Sequence, residues 1–322
     1  MPLDPLAKRF LAMMAAASPR ERSPVSLQDR RQSLEKIMKL ARAEVAEISR
    51  IDGVLPGPAT DVPYRLYIPG RDRDRLLPGF LFFHGGGMVA GSIDTHDTLC
   101  ASLAGATGCR LVSIGYRLAP EHKFPAAVDD AIAAAGWVSR HAATLGIDPC
   151  KLVVGGDSAG ATLAATVCQD AARNGGPAIL LQCLICPVLD FGGTSPSRDA
   201  FAENYLLDRT LLEADLADYL PDGADPADPL ISPLRAADLA GLPPAIIHTA
   251  EFDPMRDEGN AYAERLAAAG VAVEHHCHDG MIHNFHAMAA VLPQGRHVLS
   301  RIGEQIRHAV GSNIADDGLA LD

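Results

Sequence analysis

The sequence predicts an α/β fold, a mostly parallel central sheet covered by helices on both faces. Three observations carry this. Short apolar, β-branched runs alternate with longer helical stretches, which places helices on both faces of a parallel sheet. A serine framed by glycines sits between one such run and a helical stretch. A triple-glycine loop follows another run further upstream.

The elements follow in chain order. Lys8-Arg9 ahead of the short apolar stretch Phe10 to Ala17 superficially resembles a signal peptide, but Asp4 and two prolines precede it and the stretch is too short. An amphipathic helix with Leu6, Phe10, Met13 and Met14 on its apolar side explains it better. Strands are expected at Pro63-Ile68, Phe80-Phe83, Arg110-Gly115, Lys151-Gly155, Leu180-Cys186, Ala245-Thr249 and Val271-Cys277. Helices are expected at Pro125-Leu145, Ala161-Asn174, Asp257-Ala269 and Leu292-Val310. Phe201 to Leu220 also reads as helical, with Leu206, Leu207, Leu211, Leu212, Leu216 and Tyr219 supplying apolar faces. The tail from Gly311 to Asp322 is polar and expected to fray.

Two motifs carry chemistry. Gly156-Asp157-Ser158-Ala159-Gly160 follows an apolar run and opens an alanine-rich helix. That is a strand, a sharp turn and a helix, the context of a G-x-S-x-G nucleophile elbow. The turn is tight, so the positions two residues either side of the serine must carry little or no side chain. The hydroxyl then stands clear of the sheet over a helix N-terminus. The second motif is His84-Gly85-Gly86-Gly87, directly after Phe80-Phe83. Successive glycines expose backbone N–H groups that can donate to an oxyanion.

These motifs resemble the bacterial hormone-sensitive-lipase family of carboxylesterases within the α/β-hydrolases. The resemblance spans roughly residues 60–305. It includes Gly91-Ser92, the run Tyr116-Arg117-Leu118-Ala119-Pro120-Glu121, Ser232-Pro233-Leu234, Asp253-Pro254-Met255-Arg256-Asp257 and His283. It implies an α/β-hydrolase with helical cap residues 1–45 and a catalytic domain at 46–322. A further cap insertion is implied at about 191–221. Met88, Asn284 and Met255 depart from the residues common in the family, and none of them removes a catalytic group.

In this fold the nucleophile precedes the acid, which precedes the histidine. Ser158, Asp253 and His283 satisfy that order, each near the carboxyl end of an expected strand. Ser158 would attack a carbonyl, His283 would shuttle its proton, and Asp253 would orient the imidazole. The Ala159 N–H and two from Gly85, Gly86 and Gly87 would hold the oxyanion, and the resemblance favours Gly86 and Gly87. Asp257 competes for the acid role, but the resemblance places the acid before proline, and Asp257 with Glu258 then opens the next helix. His84 is expected to brace the glycine loop and Asp157 to hydrogen-bond around the elbow. His286 reads as packing.

The remaining composition excludes rival classes. Net charge is 28 − 40 = −12, which argues against nucleic acid and against a polybasic membrane anchor. No apolar run reaches a membrane span. His275, His276 and His278 look metal-rich, yet neighbours on a strand point to opposite faces, so no metal is expected there. Seven scattered cysteines fit a reducing, cytoplasmic setting. Cys183 and Cys186 lie in a buried run and read as inert core thiols rather than a redox pair.

The sequence therefore points to a serine carboxylesterase. Its partner is a small-molecule acyl ester of short to medium chain, and it uses no cofactor. A homodimer stays open. An amidase or deacetylase would use the same triad, and a non-catalytic receptor could share the fold, although a receptor would not need His283.

Overall fold

The computed structural model describes residues 1–17, 26–40, 45, 48–70 and 75–311. The elements are α1 (Pro5–Ala17), α2 (Leu27–Leu40), β1 (Ser49–Leu55), β2 (Val62–Ile68), β3 (Leu77–Phe83), α3 (Asp97–Thr107), β4 (Arg110–Ile114), α4 (Ala126–Arg140), β5 (Ile147–Asp157), α5 (Ala159–Asn174), β6 (Leu181–Ile185), α6 (Pro196–Ala200), α7 (Arg209–Tyr219), β7 (Ala245–Phe252), α8 (Arg256–Ala268), β8 (Val273–Ile282) and α9 (Gln294–Ala309). The expected tail beyond Gly311 and part of the expected N-terminal cap lie outside the described residues.

The strands form one eight-stranded sheet in the order β1-β2-β4-β3-β5-β6-β7-β8. The pairs β1/β2 and β2/β4 are antiparallel, and every other pair is parallel. The central strands are buried on both faces. β4 and β6 are buried at every position, so their sequences are near-continuous apolar runs. One apolar cluster joins Leu81, Phe83, Val112 and Val154 to the alanine-rich faces of α4 and α5. The other joins Phe80, Phe82, Leu111 and Val153 to α3 and α9. Alternate residues of each strand thus feed opposite layers.

Four expectations need correction. The edge strand β1 was not anticipated: only Leu55 is fully buried in it, and Asp52 and Gly53 interrupt any β pattern. The helix α3 was also missed, because its short Ala-, Gly- and Thr-containing sequence has no distinct polar face. Phe201 to Leu220 is not one helix. Asn204 and Leu206 adopt φ values of 70° and 74°, which break the helical path, and α7 begins only where Asp208 caps the Leu211 N–H. In α1, Ala7 and Phe10 are buried, with Leu3, Leu11 and Met14 packed partly beside them, but Leu6 and Met13 are 45% and 46% exposed. The real apolar stripe follows i, i+4, i+7 and i+8 from Leu3, one step round the helix from the expected one.

Candidate active site

Strand β5 ends in the turn that carries Ser158. Its φ of 52° and ψ of −122° lie outside the ordinary regions for a side-chain-bearing residue. The flanking glycines are sterically required. A Cβ on Gly160 would lie 2.0 Å from the Phe83 carbonyl oxygen, and one on Gly156 would lie 2.4 Å from the Gly160 carbonyl group. The Ser158 N–H donates to the Ile185 oxygen at 2.9 Å, which ties the turn to β6.

The structure brings Ser158, His283 and Asp253 into one buried line. Ser158 Oγ is 3.0 Å from His283 Nε2, and His283 Nδ1 is 2.7 Å from Asp253 Oδ2. Ser158 is 5% exposed, Asp253 1% and His283 0%. The other Asp253 oxygen accepts the Met255 N–H at 2.8 Å, so both carboxylate oxygens are held. Asp257 does not reach this line. It opens α8, where its carboxylate accepts the Ser197 N–H at 2.8 Å and faces α6. Glu258 is buried and accepts the Leu189 and Asp190 N–H groups and the Arg198 guanidinium, and burial raises its carboxyl above the ordinary range.

The glycine loop lies against the elbow. The Gly85 N–H donates to Asp157 Oδ1 at 3.0 Å. Gly86 and Gly87 have positive φ of 125° and 64°. Asp157 is completely buried. Burial opposes its ionisation, but the imidazoles of His96 and His286 hold it below the ordinary carboxylate range. Their Nε2 atoms lie 3.4 Å and 3.7 Å from Asp157 Oδ2. His84 donates from Nδ1 to the Gly85 oxygen at 2.9 Å and stacks on Tyr116, whose hydroxyl donates to the His84 oxygen at 2.7 Å. Burial and the neighbouring His96 push the His84 imidazole down to about 3, so it is neutral.

Sequence reasoning missed several neighbours. His96, beginning the turn into α3, and His286, on the short turn Phe285–Ala287, face Asp157 from separate elements, and no motif joins them. Cys186 is a buried core thiol, as expected, and it lies beside the catalytic candidates. Its sulfur and donor atoms of Asp253 and His283 all fall within 4.8 Å of one another, the one such three-residue grouping among the described residues. His275 meets Thr249 on one face of β8, whereas His276 and His278 share the other face and both lie against the buried His248, with ring centroids 5.3 and 5.2 Å away. Arg30 and Arg31 of α2 were also unforeseen. Arg31 donates to the Val89 and Ala119 oxygens at 2.8 and 3.1 Å and to Glu121, so α2 grips the loop after the glycines. Arg30 pairs with Asp215 and Asp218 of α7.

Comparison with known proteins agrees with this architecture. A family model described as the alpha/beta hydrolase fold matches residues 80–287. Carboxylic ester hydrolase LipN of Mycobacterium tuberculosis is 45% identical over 237 residues, which cover 72% of this chain and 62% of LipN. The chain therefore spans less than two thirds of that relative. Carboxylesterase NlhH of the same species is 43% identical over 246 residues, covering 75% of this chain and 76% of NlhH. Among solved structures, the ester-hydrolase EH1AB1 from the metagenome of Lake Arreo superposes with a TM-score of 0.92 at 38% identity, covering 96% of this chain and all of that one. No helix among the described residues is long and apolar enough to cross a membrane.

Proposed function

Given that the chain belongs to the α/β-hydrolase family, we propose that it is a serine carboxylesterase acting on short- to medium-chain acyl esters. The observation that carries this reading is the hydrogen-bonded line from Ser158 through His283 to Asp253, beside a glycine loop with backbone N–H groups. His283 takes the Ser158 proton as Oγ attacks the ester carbonyl, then returns it to the leaving alcohol. Asp253 fixes the Nδ1–H tautomer and stabilises the imidazolium. The N–H groups of Gly86, Gly87 and Ala159 receive the oxyanion, with Gly85 instead anchoring the loop to Asp157. Water then attacks the acyl-enzyme by the same route, so no metal or cofactor enters the reaction.

Residues 1–45 and about 191–221 act together as the cap, which encloses the acyl chain. The ion pairs between α2 and α7 support that reading. Seven cysteines, with no disulfide among the described residues, support a reducing cytoplasmic setting. The test is treatment with an organophosphate followed by intact-mass and peptide analysis. One adduct is expected, on Ser158. Ser158→Ala should stay folded, take no adduct and lose at least ~10³-fold in turnover. An adduct elsewhere, or an active Ser158→Ala protein, refutes the assignment. An amide of matched acyl group, run beside the ester, distinguishes an amidase.

A further inference from the structure

Helix α7 brings a carboxylate to the glycine loop. A Cβ built on Gly87 would lie 2.2 Å from Asp215 Oδ2, so that oxygen rests against the Gly87 α-carbon. Its other oxygen, Oδ1, pairs with the Arg30 guanidinium. Arg30 is 6% exposed in its side chain and Asp215 14%, so the pair is nearly sealed from water. Asp218, one turn along α7, takes the second Arg30 amino group and is 30% exposed.

We propose that Asp215 and Arg30 are a positioning pair that sets the charge next to the oxyanion loop, and that this charge selects against anionic esters. The inference rests on the esterase reading above. The reasoning is electrostatic. The tetrahedral intermediate places a negative charge at the N–H groups of Gly86 and Gly87. An uncompensated carboxylate against Gly87 opposes that charge, and shelter from water keeps the opposition strong. Arg30, which also engages Asp218, offsets that charge from the far side without cancelling both carboxylates. Asp215 thereby becomes a wall that a neutral ester tolerates and that an ester with its own carboxylate near the carbonyl does not. The charged groups facing Asp215 are Arg30 from α2 and Asp218 from its own helix, and its neighbour on the loop is Gly87. Burial pushes Asp215 up to about 7 even with Arg30 beside it, so its charge is sensitive to that partner.

The test is a four-member cycle of wild type, Arg30→Met, Asp215→Asn and the double variant. Each is assayed on p-nitrophenyl acetate and on a succinate half-ester, with melting temperatures measured for all. Wild-type turnover of the acetate tests the parent reading by itself; the ratios between variants test this one. At alkaline pH, where Asp215 is ionised, Arg30→Met is expected to lower kcat on the neutral ester about tenfold or more, with a smaller change in KM. Removing the guanidinium raises the Asp215 pKa further. The loss should therefore deepen as pH rises and Asp215 ionises. The double variant should recover kcat and lose this alkaline fall. A double variant as impaired as Arg30→Met, with the same pH profile, overturns the proposal and leaves only a structural clasp. Should Arg30→Met fail to fold, Asp215→Asn decides alone. It should raise the half-ester efficiency relative to acetate about tenfold, and an unmoved ratio overturns the proposal.

Discussion

Replacing Gly160 by alanine tests how tightly the elbow is built. The added Cβ would lie 2.0 Å from the Phe83 oxygen, 2.6 Å from the Phe83 carbonyl carbon and 2.6 Å from the His84 oxygen. Ordinary carbon contacts need about 3.5 Å, so the two backbones must part by more than about 1 Å. None of these atoms is the end of a flexible side chain. The yielding elements are the start of α5 and the junction of β3 with the glycine loop, so nucleophile and oxyanion donors move apart. A misplacement of about 1 Å costs roughly 10²-fold, or about 2.7 kcal/mol of transition-state stabilisation. Gly175→Ala is the control. Gly175 has φ of 68°, but no atom lies within 4 Å of a Cβ there, so only the left-handed backbone cost of roughly 1–2 kcal/mol applies, to stability alone. The assay is kcat/KM on a short acyl ester, with the rate of organophosphate capture as a second measure of the elbow. Gly160→Ala retaining more than a tenth of wild-type efficiency, or Gly175→Ala losing as much, would refute the reasoning.

Three further outcomes are expected. Asp253→Asn should lose ~10³- to 10⁴-fold in turnover through the wrong imidazole tautomer, whereas Asp257→Asn, which faces Ser197, should lose far less; steady-state kinetics of the two variants rank them. Stability should fall on acidification through the buried His84. Its folded pKa is depressed to about 3 from the ordinary 6.5, so the unfolded chain binds the extra proton between these values. Stability is then complete above pH 6.5 and declines by up to ~1.4 kcal/mol per unit toward pH 3, a slope that urea titrations at stepped pH should find reduced in His84→Gln. Deleting residues 1–40 removes Arg30, Arg31 and the buried Ala7 and Phe10. The soluble truncated protein should keep its main far-UV signal and its organophosphate adduct but lose at least about tenfold in efficiency, with an altered acyl-chain profile. Wild-type efficiency and profile would show that the segment does not shape the site.

The parts of the molecule legible in the sequence are those whose cause is local. Gly156 and Gly160 are read from neighbours two residues away because the turn itself forbids a side chain. β4 and β6 are read because burial on both faces leaves unbroken apolar runs. What escaped depends on distant partners. β1 is a strand because β2 pairs with it, not because Arg50, Asp52 and Gly53 prefer one. Leu6 and Met13 were placed inside because they are large and apolar, yet the helix is oriented by what Phe10 and Ala7 meet in the core. Arg30, Arg31 and Asp215 look like any charged residues on helices until α2 and α7 meet. Only the resemblance set Gly86 and Gly87 apart from Gly85, because the Asp157 oxygen that takes the Gly85 N–H lies 72 residues along the chain.

Ser158 and His283, its proposed base, are separated by 125 residues of chain. A ribosome extends a chain by about 5–20 residues per second, so the serine leads the histidine by roughly 6–25 s. Throughout that interval the emerging polypeptide holds Ser158 and the glycine loop but not the histidine proposed to draw off the hydroxyl proton. The strand that brings the histidine, β8, is the last of the eight to be made and closes the far edge of the sheet. On the proposed reading, hydrolytic competence waits until residue 283 has been made, and a product truncated before it is expected to be inert toward esters.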